Sequence, residues 1–93
     1  MKVIWTDEAT EQLEAIYAFV ARNSEFYARK LADKLVSRAD ELGDFSLLGR
    51  MVAKYNDPTI RELVVAPYTI VYLVQPEHIE VLTVIHGSRD RRK

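Results

Sequence analysis

Apolar residues in the first half of the chain recur every three or four positions, the spacing of an amphipathic helix. One stripe consists of Ala9, Leu13, Ile16, Tyr17 and Val20. A second consists of Tyr27, Leu31, Leu35, Arg38 and Leu42. Thr6 and Ser24 are placed to cap the two helices, and Gly43 to end the second. Because only a few residues separate the stripes, the pattern predicts an antiparallel helical hairpin.

The remaining chain is dominated by short runs of β-branched and aromatic residues. Residues 2–5 predict an opening strand and residues 51–55 a short edge strand. Three further runs, bounded by prolines, cover residues 60–66, 68–74 and 79–86 and predict an antiparallel meander. In residues 68–74 the side chains on both faces of the predicted strand are largely apolar, which indicates a central strand covered on both faces.

The order β-α-α-β-β-β predicts one α+β domain over residues 1–93. Its expected architecture is an antiparallel sheet of three to four strands covered by the N-terminal helical hairpin. A chain of 93 residues with 48% hydrophobic and 29% charged residues suits a single globular domain.

Charge and composition narrow the classes of function. The net charge is −1, so attraction to a nucleic acid would have to come from local patches such as the basic C-terminal residues. Cysteine is absent, which excludes disulfides and thiolate zinc sites, and two histidines argue against a histidine-rich metal site. We therefore expect no metal and no cofactor. No apolar run has the length of a signal peptide or membrane span, so a cytoplasmic protein without membrane partners is expected.

Three stretches of the chain resemble toxins of the RelE/ParE family from bacterial type II toxin–antitoxin pairs. The first is Ile4-Trp5-Thr6 with the helix start that follows, and the second is Leu48-Gly49-Arg50. The third runs from Ile60-Arg61-Glu62 through the Y-x-I-V-Y motif of residues 68–72 to the V-x-H-x-x-R-D ending of residues 84–90. The resemblance implies a sheet with a helical hairpin packed on it. It also implies a hetero-oligomeric complex with a cognate antitoxin, usually encoded alongside, which wraps the toxin and blocks it.

The family implies two alternative activities. One branch cuts messenger RNA on the ribosome, and the ParE-like branch inhibits DNA gyrase without being a nuclease. RNA cleavage needs a base, an acid and a cation around one phosphate. The candidates here are Lys54, Arg61, His86 and Arg89. RelE-like nucleases resemble one another in having an arginine immediately before the I-V-Y motif, whereas this chain has Thr69 there.

The missing arginine favours the gyrase branch. The residues predicted to bind that target are Arg50, Arg61, His86, Arg89 and Arg91. Purely structural roles compete with this interpretation, since His86 can simply end a strand and Arg61 can form an ion pair. A third possibility is a degenerate, non-toxic module that keeps only antitoxin recognition.

The chain has more large aromatic residues than the contact between the two predicted helices requires. They are Trp5, Phe19, Phe26, Tyr27 and Phe45. A partner that wraps the toxin needs exposed apolar anchors, so we predict that some of these residues line an antitoxin groove. The alternative is that all five belong to the core.

Overall fold

The computed structural model describes residues 1–87, which form two helices and five strands. The elements are β1 (Lys2–Trp5), α1 (Asp7–Ala21), α2 (Glu25–Glu41), β2 (Arg50–Met51), β3 (Ile60–Val65), β4 (Tyr68–Val74) and β5 (His78–His86). Neither helix in this part of the chain is long and apolar enough to cross a membrane.

The two helices form the predicted hairpin, and each begins at the predicted cap. The Thr6 hydroxyl accepts a hydrogen bond from the backbone N–H of Ala9, and the Ser24 hydroxyl accepts one from Tyr27. One feature of the predicted stripe on α2 is wrong: Tyr27 is exposed, whereas its neighbour Ala28 is fully buried. The buried residues of α2 are Ala28, Leu35 and Ala39, so its buried face includes two of its alanines.

The sheet has the strand order β1-β5-β4-β3-β2. Strands β3, β4 and β5 form the predicted antiparallel meander, and β4 is central as its two-sided apolar pattern indicates. The sheet has five strands and is mixed, because β1 pairs parallel to β5 from Lys2↔His78 to Trp5↔Val81. The helical hairpin and strands β2 to β4 lie between these two strands in the chain. The local pattern of a four-residue strand therefore carries no information about its partner or direction.

The short strand β2 lies at the edge, as expected, but it ends at Met51 rather than near residue 55. Two consecutive turns replace the rest of the predicted strand: the N–H groups of Tyr55 and Asn56 donate to the carbonyls of Val52 and Ala53. Asn56 has a positive φ of 51°, a conformation that asparagine tolerates better than most residues.

The two faces of the sheet differ in what covers them. The face that packs on the helices carries Leu63, Val65, Ile70, Tyr72, Ile79, Val81 and Val84, which join Leu35, Ala39 and Leu42 in one core. Residues that alternate with these point the other way. We call this second surface the helix-free face; it includes Glu62, Val64, Thr69, Val71 and Ile85. Among its members Val64 is half exposed, at 51%.

Candidate functional site

The loop between α2 and β2 is fixed to the sheet by side chains of β3 and β4. The Tyr72 hydroxyl donates a 2.9 Å hydrogen bond to the Ser46 carbonyl and accepts one of 2.9 Å from the Gly49 N–H. Arg61 Nε donates to the Gly49 carbonyl at 2.9 Å, and its Nη1 donates to the Pro58 carbonyl at 3.0 Å. Arg61 and Tyr72 together hold the Leu48-Gly49-Arg50 segment in place.

Arg50 lies directly after this anchored glycine and is paired with a buried carboxylate. Its Nε and Nη2 both lie 2.9 Å from Glu62 Oε2, across the β2–β3 register. Glu62 is only 1% exposed, whereas the Arg50 side chain is 60% exposed. The ion pair therefore holds an arginine in one position while most of its surface faces solvent. Arg50 remains suited to the target-binding role that the sequence suggests.

The candidate nuclease residues lie in separate places within residues 1–87. His86 pairs with Tyr68 at one end of the sheet, and Arg61 pairs with Tyr72. Four residues along β4 correspond to roughly 13 Å, so the two candidates are at different ends of the strands. Lys54 is exposed in the turn after β2. Arg89 and Arg91 lie outside the described residues.

His86 is exposed at the end of β5 and contacts an aromatic neighbour. Its ring lies edge-to-face with that of Tyr68, with 5.3 Å between the ring centroids. Thr69, the residue at the position of the nuclease arginine, is 1% exposed on the central strand. It lies on the helix-free face between Val64 and Ile85. A buried threonine offers no charge to a phosphate.

The five predicted aromatic anchors fall into three groups. Phe19, Phe26 and Tyr27 lie around the connection between the helices and are 65%, 64% and 65% exposed. Trp5 is half-buried and packs against the core. Phe45 is 64% exposed but follows α2, whose 17 residues span roughly 25 Å.

Two cations accompany the aromatic rings at the helix connection. The Arg22 guanidinium lies 5.5 Å from the centroid of Phe19, and Lys30 Nζ lies 5.5 Å from that of Phe26. We call Phe19, Arg22, Phe26, Tyr27 and Lys30 the hairpin patch. Arg22 and Lys30 are not among the sequence-predicted site residues, although their i+3 and i+4 spacing from the rings is a visible signal.

Tyr72 makes the stability of the protein depend on pH in the alkaline range. Burial raises the pKa of its hydroxyl, and the hydrogen bond from Gly49 and the charge of Arg61 oppose that shift only in part. The unfolded chain therefore loses this proton at a lower pH than the folded chain, and we expect the free energy of unfolding to fall above about pH 10.

Tyr72→Phe is expected to lower the free energy of unfolding by about 1–2 kcal/mol at neutral pH, because two hydrogen bonds to the loop are lost. It should also weaken the alkaline decline. Urea denaturation between pH 8 and pH 11 measures both effects, with Tyr27→Phe as the exposed control. An alkaline decline of equal steepness in wild type and Tyr72→Phe would contradict the prediction.

Comparison with known proteins places the chain in a family. The sequence profile described as ParE toxin of type II toxin-antitoxin system, parDE, matches residues 3–91. The chain belongs to the ParE toxin family. This confirms the resemblance found in its motifs, and membership of a type II system implies an antitoxin partner for this ParE-family toxin.

Two relatives agree with that assignment, and one solved structure agrees with the fold. Toxin RelE2 of Caulobacter vibrioides is 33% identical over 89 residues, which cover 95% of this chain and 97% of that protein. Putative toxin Y4kP of Sinorhizobium fredii is 29% identical over 90 residues, covering 95% and 90%. The structure titled Chromosomal ParDE TA system from P. aeruginosa has a TM-score of 0.76 at 24% identity and covers 95% of this chain and 97% of that one. It confirms the fold.

Proposed function

We propose that this ParE-family toxin acts in the cytoplasm and arrests growth by inhibiting DNA gyrase rather than by cutting RNA. One observation carries the proposal: the candidate nuclease residues within 1–87 do not surround a common point. Arg61 donates to two backbone carbonyls, while His86 lies at the other end of the sheet. Thr69 is buried where the nucleases have an arginine.

Cleavage at phosphorus needs its acid, base and cation within about 3 Å of the atoms that react. A separation of roughly 13 Å along the strands does not meet that requirement. Inhibition of an enzyme by binding needs only a surface of suitable shape and charge. The exposed, ion-paired Arg50 supplies one fixed cation of such a surface, and the sequence adds Arg89 and Arg91 as candidates outside the described residues.

DNA supercoiling by purified gyrase tests the proposal. We expect inhibition that rises with toxin concentration and is reversed by the antitoxin encoded beside the toxin gene. Messenger RNA on translating ribosomes should stay intact in the parallel assay. Unchanged supercoiling together with ribosome-dependent cuts would establish the nuclease alternative. Continued growth at a high level of toxin without antitoxin would favour the degenerate, non-toxic module.

The variant Arg61→Met further distinguishes gyrase inhibition from RNA cleavage. It removes two hydrogen bonds from a charged donor to the loop, so we expect a loss of about 2 kcal/mol in the free energy of unfolding. Inhibition of gyrase per folded molecule should stay within about twofold, because Nε and Nη1 of Arg61 both donate to backbone carbonyls of the toxin itself. If the protein instead cuts RNA and Arg61 binds the reacting phosphate, the rate of RNA cleavage would fall by about 100-fold or more at equal folded concentration. Circular dichroism gives the folded fraction for each assay.

We further propose that the hairpin patch binds the antitoxin. Three large side chains near the helix connection are each about two-thirds exposed, and the rings of Phe26 and Tyr27 contact each other with 5.5 Å between centroids. Exposed groups of this kind mark protein interfaces. The two cations beside the rings favour a partner segment that carries carboxylates next to apolar residues.

A further inference from the structure

Glu62 is a carboxylate in a row of buried side chains on the helix-free face. It lies opposite Val71 of β4, which in turn lies opposite Thr83 of β5. The three residues are only 1%, 2% and 4% exposed. Burial of a carboxylate costs free energy, because the charged group loses its contacts with water. The presence of Glu62 in this row therefore calls for a benefit that offsets the cost.

The ion pair between Glu62 and Arg50 is asymmetric, which limits its contribution to stability. Both Nε and Nη2 of Arg50 lie 2.9 Å from Glu62 Oε2. The Arg50 side chain is 60% exposed, so water screens its charge, while the side chain of Glu62 is fully buried. Replacing a buried pair by apolar residues is often neutral or stabilising. Folding stability alone does not account for this pair.

The pair does, however, restrict the motion of Arg50. An arginine at a protein surface normally samples many rotamers, and binding to a partner must restrict them. Here two nitrogens of the guanidinium bond to one oxygen of a side chain that is itself packed on the sheet. The backbone of Arg50 is paired with β3, and the preceding Gly49 N–H donates to the Tyr72 hydroxyl. The guanidinium is therefore ordered before a partner arrives, and less conformational entropy is lost on binding.

The surroundings of Arg50 suit contact with another protein. Arg50 lines an open concavity of about 260 Å³ together with Leu48 and Val64. These two apolar residues are 44% and 51% exposed. An ordered arginine beside exposed apolar side chains matches the composition of the residues that contribute most to protein interfaces. The concavity is smaller than most small-molecule pockets, which favours a macromolecular surface as the partner.

We infer that Glu62 is a positioning residue, which holds the Arg50 guanidinium in the orientation in which it contacts gyrase. Glu62 itself stays buried and does not touch the target. The pair is thus kept for binding rather than for folding. This inference rests on the proposed inhibition of gyrase and identifies the group that prepares Arg50 for it.

Glu62→Gln tests the positioning, because it keeps the shape of the side chain and removes the charge that holds the guanidinium. Gyrase inhibition at equal folded concentration should weaken about 5–10-fold, since charge-assisted hydrogen bonds are roughly twice as strong as neutral ones. NMR relaxation of the Arg50 Nε–H group should give an order parameter of about 0.8 in the wild type and below about 0.6 in the variant. Glu41→Gln is the matched control: it removes the carboxylate of the Arg38–Glu41 pair on α2 and should leave both quantities unchanged.

A double-mutant cycle shows whether Glu62 acts through Arg50. Arg50→Met should weaken inhibition about 30-fold, a loss typical of an interface arginine. Arg50→Met/Glu62→Met should match Arg50→Met within about twofold at equal folded concentration, because a positioning residue has no effect once the group that it positions is gone. The melting temperature of the double variant should lie within about 5 °C of the wild-type value or above it.

The outcomes separate this inference from the proposal on which it rests. A wild-type toxin without effect on gyrase would overturn the proposed target, and equal order parameters in wild type and Glu62→Gln would overturn the positioning whatever the target is. Normal wild-type inhibition that Glu62→Gln leaves unchanged would overturn this inference alone. Multiplied losses in the double variant would do so too, because Glu62 would then act independently of Arg50. A melting temperature more than about 10 °C below wild type in the double variant would show that the pair serves folding.

Discussion

Gly49→Ala is expected to lower the free energy of unfolding by about 3 kcal/mol. A Cβ atom at this position would lie 2.5 Å from the Glu62 carbonyl oxygen and 2.8 Å from the Tyr72 ring and hydroxyl. The first contact is with backbone, so a change of rotamer cannot relieve it. Gly49 is not among the residues with positive φ, which means that lack of space alone requires glycine.

A loss of this size is a large share of the stability of a 93-residue domain, which is about 5–14 kcal/mol. It corresponds to a fall of roughly 12–24 °C in melting temperature. Thermal unfolding followed by circular dichroism measures it. Ser46→Ala is the control in the same loop, because Tyr72 donates to the Ser46 carbonyl and not to its side chain.

A second variant checks which contact dominates. In Gly49→Ala/Tyr72→Leu the aromatic ring is gone, but the Glu62 carbonyl still lies 2.5 Å from the added Cβ atom. The melting temperature should therefore stay below that of Tyr72→Leu alone. Equal melting temperatures for these two variants, or a change of less than 1 kcal/mol in Gly49→Ala, would contradict the close approach of loop and strand.

The hairpin and the meander could be predicted because their signals are local. Helix spacing, the caps Thr6 and Ser24 and the alternation in residues 60–86 each involve neighbours in the chain. The parallel pairing of β1 with β5 joins residues more than 70 positions apart, as in Thr6 N–H to the Val81 carbonyl. The composition of β1 is the same for either strand direction, so its place in the sheet could not be read from it.

Arg61 shows that the residue type alone does not identify what a side chain binds. An arginine on a strand can bind a phosphate, a carboxylate or backbone carbonyls, and the sequence does not distinguish these partners. The structure supplies the carbonyls of Gly49 and Pro58. The position of Gly49 depends in turn on Tyr72, 23 residues further along the chain. The central position of β4, by contrast, could be predicted, because the side chains on both faces of residues 68–74 are largely apolar.

Phe26→Ala/Tyr27→Ala is expected to weaken antitoxin binding by about 100-fold or more. Truncating an aromatic side chain that is buried in an interface typically costs around 2 kcal/mol or more of binding free energy. Because these side chains are 64% and 65% exposed in the free toxin, the free energy of unfolding should change by less than about 1 kcal/mol. Titration calorimetry with the antitoxin and urea denaturation of the free toxin give the two quantities.

Phe45→Ala/Leu47→Ala provides the matched control. Both side chains are 64% exposed, like those of the hairpin patch, but they lie in the loop that follows α2. Since roughly 25 Å of helix separates the two surfaces, this variant should bind the antitoxin within about threefold of wild type. An equal loss for both double variants would mean that the antitoxin spans the length of α2. A loss in the loop variant alone would move the principal antitoxin surface from the hairpin patch to that loop.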